Sequence, residues 1–232
     1  MNSLLLLNGS PRGKQSNSMK MLSYVAQGWE RVGGKAPEIL HLAQAAGFDR
    51  AVRAFAEADV VLLGMPLYTD SMPALVKAYI EALEPRVAAR EAGQANPTLA
   101  FLVQSGFPEA LHSRYVARYL EKLAKRLGSP CAGTIVHGGG GALGSMPEGA
   151  NKKLWERLRT LGEQLARDGR FGEAELRAAS GPERFSALAA ALLSPICRLG
   201  ATQFMWNKDF KKNGAWERRF AAPYGPAFRT GS

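Results

Sequence analysis

Cysteine is scarce in this chain. Only Cys131 and Cys197 occur among 232 residues, far apart and in no CxxC pattern. That argues against a disulfide scaffold, a zinc site and a cysteine-held iron–sulfur cluster. Histidine is nearly as rare: His41, His112 and His137 share no metal-ligand spacing and read as core or surface histidines. Acidic side chains are outnumbered, 20 against 30 basic, for a net charge of +10. The longest apolar stretch, "FSALAAALLSPICRLGATQFMW" (185–206), is broken by Pro195 and Arg198, so a membrane span is not expected. No cationic leader with a long apolar run opens the sequence. A signal peptide is therefore not expected, and the compartment reads as cytoplasmic. No internal repeat or low-complexity tract is evident.

What is present alternates. Apolar runs at "LLLLN" (4–8), "EILHL" (38–42), "DVVLLG" (59–64), "TLAFLVQ" (98–104) and "GTIVH" (133–137) read as strands. Between them lie segments of helical period. One carries Met21, Leu22, Val25 and Trp29 on a single side; another repeats Leu111, Tyr115, Tyr119 and Leu123, with Gly128 as its stop. Leu154, Leu158, Leu161 and Leu165 mark a last one. Strict β-α alternation with non-alternating, buried strands predicts an α/β fold: a doubly wound, five-stranded parallel sheet with helices on both faces. From about Gly169 the alternation stops. The sequence thus divides into a sheet domain over 1–169 and a basic, aromatic C-terminal extension over 170–232.

Ligands on such sheets sit beyond the carboxyl ends of the strands. The loops there are "NGSPRGKQSNS", "GMPLYTDSMP", "QSGFPEALHS" and "HGGGGALGSMPE", all rich in Gly, Pro, Ser and Thr. In the first, Ser10, Ser16 and Ser18 offer hydroxyls, Asn17 an amide, and Arg12 or Lys14 a charge, around a helix N-terminus that suits an anion. It is not a P-loop: Gly9 and Gly13 have three residues between them rather than four, and Gln15 follows Lys14. An ordinary capped helix is the competing reading of this loop. In the second, Pro66 and Pro73 stiffen a segment carrying Tyr68, which suits a planar heterocycle or, alternatively, a packed turn. The formal GxGxxG at Gly139, Gly141 and Gly144 has no strand with a ribose-binding acid after it, and reads as a flexible rim. His112 reads as a surface histidine, Asp70 as a cap for the next helix.

"LNGSPRGKQSNS" followed by "MPLYTDSMPALVKAYIE" resembles the flavodoxin-like NAD(P)H-dependent FMN reductases and quinone reductases. In that family the first loop holds the FMN phosphate, the second borders the isoalloxazine ring, and the loop after strand four completes the site. The resemblance covers residues 1 to about 165. It implies a flavodoxin-like fold and FMN-binding roles for Ser10, Arg12, Ser16, Asn17 and Ser18, for Pro66, Leu67, Tyr68 and Thr69, and for Ser105 and Gly106. It also implies NADPH or NADH as hydride donor and a quinone, free flavin or similar small molecule as acceptor. No side chain is then required as a general acid or base, because the hard chemistry belongs to the cofactor. A non-enzymatic electron carrier of flavodoxin type is the alternative, but such carriers are acidic as a family, unlike this basic chain.

The extension matches no part of that family. Residues 183–232 carry eight basic and three acidic side chains. Lys208, Lys211, Lys212, Arg218 and Arg219 are interleaved with Trp206, Phe210, Trp216 and Phe220. A membrane surface or a nucleic acid would suit that mixture. The simplest expectation is an arm that packs on its own domain or across a homodimer or homotetramer.

Overall fold

A computed structural model describes residues 3–85, 95–144, 147–198 and 201–221. The chain divides into two compact units, Met1–Arg184 and Phe185–Ser232. The first holds the strands β1 (Leu4–Asn8), β2 (Glu38–His41), β3 (Val60–Pro66), β4 (Thr98–Gln104) and β5 (Cys131–His137). All pair in parallel, in the order β2-β1-β3-β4-β5. Strand order therefore reverses between β1 and β3, and the crevice beyond their carboxyl ends is where such sheets take ligands.

The pleat explains why the inner strands β1, β3 and β4 are apolar on both faces. Successive side chains point to opposite faces, so Leu4 and Leu6 join one core layer with Val60, Leu62, Ala100 and Leu102. Leu5 and Leu7 join the other, with Val61, Leu63, Phe101 and Val103. The four leucines of β1 are 0–3% exposed, and burying each contributes on the order of 1.5–3 kcal/mol. Helices α1 (Asn17–Arg31) and α5 (Lys152–Asp168) cover the first layer. Helices α2 (Ala45–Ala54), α3 (Ala74–Ala82) and α4 (Arg114–Arg126) cover the second.

Helices α1 and α5 approach each other through glycine. A Cβ on Gly28 would lie 1.9 Å from the Arg159 carbonyl oxygen, and one on Gly162 would lie 2.0 Å from that of Val25. Beside this contact the Tyr24 and Trp155 rings stack at 4.4 Å. Lys20 and Arg159 stand over the rings of Trp155 and Tyr24 at 5.3 and 4.7 Å, a cation–π arrangement at each end.

Two features add to the sequence pattern. Helix α4 does not bury Tyr115 and Tyr119, which are 70% and 50% exposed; it buries Val116, Ala117, Leu120 and Ala124. The true stripe has the same spacing one residue further along, with smaller side chains. The boundary at residue 169 also moves, because α6 (Glu173–Ser180) packs on β5 within the first unit. Phe171, Leu176 and Ala179 join the α1–α5 core layer. Phe171 N–H donates to Ala132 O, and Arg114 pairs with Glu183 at 2.7 Å. The alternation stops there because a helix, not a sixth strand, covers the edge of β5.

In the second unit, α7 (Ala187–Arg198) and α8 (Ala201–Lys212) pack against each other. No helix among the described residues is long and apolar enough to cross a membrane.

Candidate functional site

The site begins at the last residue of β1. Asn8 is fully buried, and its carboxamide makes four hydrogen bonds. The amide nitrogen donates to Gly13 O at 2.7 Å and to His41 Nδ1 at 3.1 Å. Its oxygen accepts from Ser10 N–H at 3.1 Å and from Ser16 Oγ at 3.3 Å. A carbonyl on one side and an N–H on the other fix the orientation of the amide. Accepting from Asn8 requires His41 to be neutral with its proton on Nε2. Burial and then the nearby Lys14 both lower the His41 pKa, in keeping with that form.

Asn8 thereby folds the first loop into a tight turn, with Gly13 at φ 56°, and delivers the chain to α1. Ser16 caps the helix, its Oγ accepting from Met19 N–H at 3.1 Å. The N–H groups of Asn17 and Ser18 fall in the first turn, where no intrahelical acceptor exists. The positive end of the helix dipole and exposed Arg12 give this corner a positive potential.

The second loop leaves β3 at Pro66, and Leu67 N–H donates to Gln104 O at 2.8 Å. Tyr68 and Ser71 then close a two-residue turn with N–H···O bonds of 2.9 and 3.1 Å. Its central residues, Thr69 and Asp70, have φ of 46° and 62°. Positive φ at both positions is the pattern of a type I′ turn, which favours Asn-Gly. Asp70 is thus a turn residue and not the cap of α3, which Pro73 fills without a side-chain bond. A β-branched residue at positive φ is strained by about 1–3 kcal/mol. Thr69→Asn is therefore expected to raise the melting temperature by a few degrees; a thermal melt showing no rise would place the strain elsewhere.

Behind these loops, β4 ends at Gln104, and Ser105 and Gly106 follow it. Gln104 is 7% exposed, and its Nε2 donates to Ser18 Oγ at 3.4 Å. Its Oε1 is buried without a partner among the described residues. Ser105 donates to Phe107 O at 3.1 Å. The glycine-rich segment closes the cleft as a 3-10 turn, Gly140–Gly144. Asn17 Nδ2 holds it from the opposite side, donating to Gly140 O at 2.7 Å.

The resulting cavity of about 210 Å³ is lined by Ser10, Arg12, Ser16, Asn17, Pro66, Leu67, Tyr68 and Gly106, together with Gln104 and Gly141. It lies at the switch point. A larger cavity, about 920 Å³, surrounds Cys131 at the amino end of β5. Its walls mix acids with bases, and burial pushes the Cys131 thiol pKa up, so it presents no activated nucleophile.

The model of the family described as "Flavodoxin-like fold" matches residues 2–158. The chain belongs to this flavodoxin-like family. Solved structures similar to this flavodoxin-like chain include an azoreductase from Bacillus anthracis, at 17% identity and a TM-score of 0.51, covering 71% of this chain and 100% of that one. An NADPH-quinone reductase from P. pentosaceus is 16% identical with a TM-score of 0.53, covering 72% and 99%. An NAD(P)H:quinone oxidoreductase from Methanothermobacter marburgensis is 15% identical with a TM-score of 0.52, covering 71% and 98%. No curated protein matches the chain.

Of the residues singled out from sequence, the flavodoxin-like fold brings eight to one cleft and leaves three outside it. Ser18 is fully buried under the first turn, Ser105 is 1% exposed and tied to its own loop, and Thr69 stands at the tip of the strained turn. Ser16 reaches the cleft, but its hydroxyl is occupied as the helix cap and by Asn8. Sequence reasoning missed Asn8 and Gln104. The signal was available: each is a polar residue ending an otherwise apolar strand. Among the described residues, no group of three or more His, Cys, Asp or Glu is placed to hold a metal ion.

Proposed function

We propose that this chain is an FMN-dependent oxidoreductase that takes hydride from NADPH or NADH and passes electrons to a quinone, free flavin or similar small acceptor. The observation that carries the reading is the convergence of the loops after β1, β3 and β4 on one cleft at the point where strand order reverses. The cleft is smaller than the ~300 Å³ at which typical ligand pockets begin, so a ligand of FMN size would fill it and extend beyond the rim.

The cofactor would supply the hydride chemistry at its isoalloxazine ring. The protein's part is to bind and orient. The first-turn N–H groups of α1, Ser10 and Arg12 would hold the phosphate end. Pro66, Leu67 and Tyr68 would border the ring, with Gly106 beneath it, where a side chain would meet nothing within 4 Å. Solved proteins of this fold are named as azoreductases and quinone reductases, one of them in complex with FMN, which supports the reading at the level of the fold.

Purified protein loaded with FMN should be yellow. Anaerobic NADPH or NADH should bleach it, and a soluble quinone should restore the colour. Flavin-loaded protein that neither nicotinamide reduces would remove the reductase reading and favour the electron carrier.

A further inference from the structure

The second unit presents two surfaces that water alone does not suit together. Apart from half-buried Ala189, the described side chains of α7 are exposed, and residues 185–197 contain no charge. Leu188 and Leu192, one turn apart on the same face, are 71% and 66% exposed. Contiguous apolar surface of this kind marks an interaction site. The other surface is cationic and aromatic. Trp206 is 63% exposed. Beyond α8, the Trp216 ring has Lys211 Nζ at 4.7 Å and the Arg219 guanidinium at 3.8 Å. The same guanidinium stands 4.8 Å from the ring of Phe220, which is 86% exposed. Residues 185–221 carry six basic side chains against Asp209 and Glu217 alone.

We infer that this unit docks on an anionic lipid bilayer, with α7 lying along the headgroup boundary and the cations of α8 and its following turn on lipid phosphates. Length excludes spanning: the 12 residues of α7 extend about 18 Å, against a hydrocarbon core of about 30 Å. Tryptophan beside lysine and arginine is the mixture that settles at that boundary.

Other occupants satisfy only half of the surface. A nucleic acid would engage the cations and leave α7 in water. A second copy of the unit would cover α7 and leave the cations of α8 and its following turn without an anionic partner. An anionic bilayer meets both requirements. The inference is independent of the flavin cleft.

The test is co-sedimentation of the full-length protein with vesicles of phosphatidylcholine alone and with vesicles containing phosphatidylglycerol as well. Protein should pellet with the anionic vesicles, stay in solution with the zwitterionic ones, and be released by raised salt. Lys208→Glu with Lys211→Glu and Lys212→Glu should lower the partition coefficient by about a hundredfold or more. Leu188→Ser with Leu192→Ser should lower it too while keeping the salt dependence. The two vesicle types decide the matter on wild-type protein, whether or not a variant folds. Protein that stays in solution with both would overturn the inference. So would wild-type protein that binds duplex DNA but no vesicle, or one that binds no vesicle while the leucine variant changes its size in light scattering. Reduction by nicotinamide, read with a soluble quinone and no lipid, stands or falls separately.

Discussion

Riboflavin is expected to bind this protein at least about a hundredfold more weakly than FMN. The two ligands differ by one phosphate, and the corner that would receive it is the N-terminal turn of α1. There Ser10, Arg12 and Asn17 line the cleft, and the N–H groups of Asn17 and Ser18 fall in the first turn of the helix. Each charge-assisted hydrogen bond contributes roughly 1.5–3 kcal/mol, so losing two lowers affinity by about two to four powers of ten. Arg12→Ala should weaken FMN and leave riboflavin unchanged, since Arg12 is exposed and carries no fold contact that riboflavin depends on. Ser16→Ala is the wrong probe, because that hydroxyl caps α1 and bonds Asn8, so its removal disturbs the loop for either ligand. A flavin-fluorescence titration reads all of this. Equal affinity of wild-type protein for FMN and riboflavin would remove the phosphate from this loop and the flavin assignment with it.

Gly162→Ala and Gly28→Ala are each expected to destabilise the protein by about 3 kcal/mol or more. A single methyl group would meet the backbone of the facing helix at 2.0 and 1.9 Å, and a backbone carbonyl cannot rotate aside as a side chain can. The helices must separate, opening the layer that holds Trp29, Leu158 and Leu161. Overpacking of a tight core costs about 1–3 kcal/mol even where side chains yield. For a chain of this size that lowers the melting temperature by roughly 2–4 °C per kcal/mol. The double variant should lose less than the sum of the singles, because one displacement relieves both clashes. Gly149→Ala, where a Cβ meets nothing within 4 Å, is the control. Full additivity, or melting temperatures unchanged from wild type, would mean that the helices do not meet through these glycines.

Most of the fold was legible because its inner parallel strands, β1, β3 and β4, are buried on both sides and therefore almost wholly apolar. The end of β4 at Gln104 follows directly from that rule. Helix α4 shows where the rule weakens. Tyr115 and Tyr119 recur at the right spacing for a buried face, but the face actually buried uses Val116, Leu120 and Ala124. Periodicity reports that a helix has a side; side-chain bulk, the cue for which side is inward, misleads where small residues pack closely. Ser18 shows the converse. It lies on the stripe of Leu22, Val25 and Trp29, so its burial was implied by the same periodicity that located α1, whereas its hydroxyl suggested a ligand. The strain at Thr69 was not legible at all, since nothing in "YTDS" announces positive φ at a threonine.

The Asn8 side chain carries one further consequence. The loop it shapes is anchored to a central strand by hydrogen bonds made wholly within the protein. The conformational entropy of that segment is lost once, during folding, and not again on association. Ordering a flexible loop at a binding site ordinarily subtracts from affinity. Here the sheet has already imposed that order, so ligand contacts at the first turn can appear undiminished in the binding free energy.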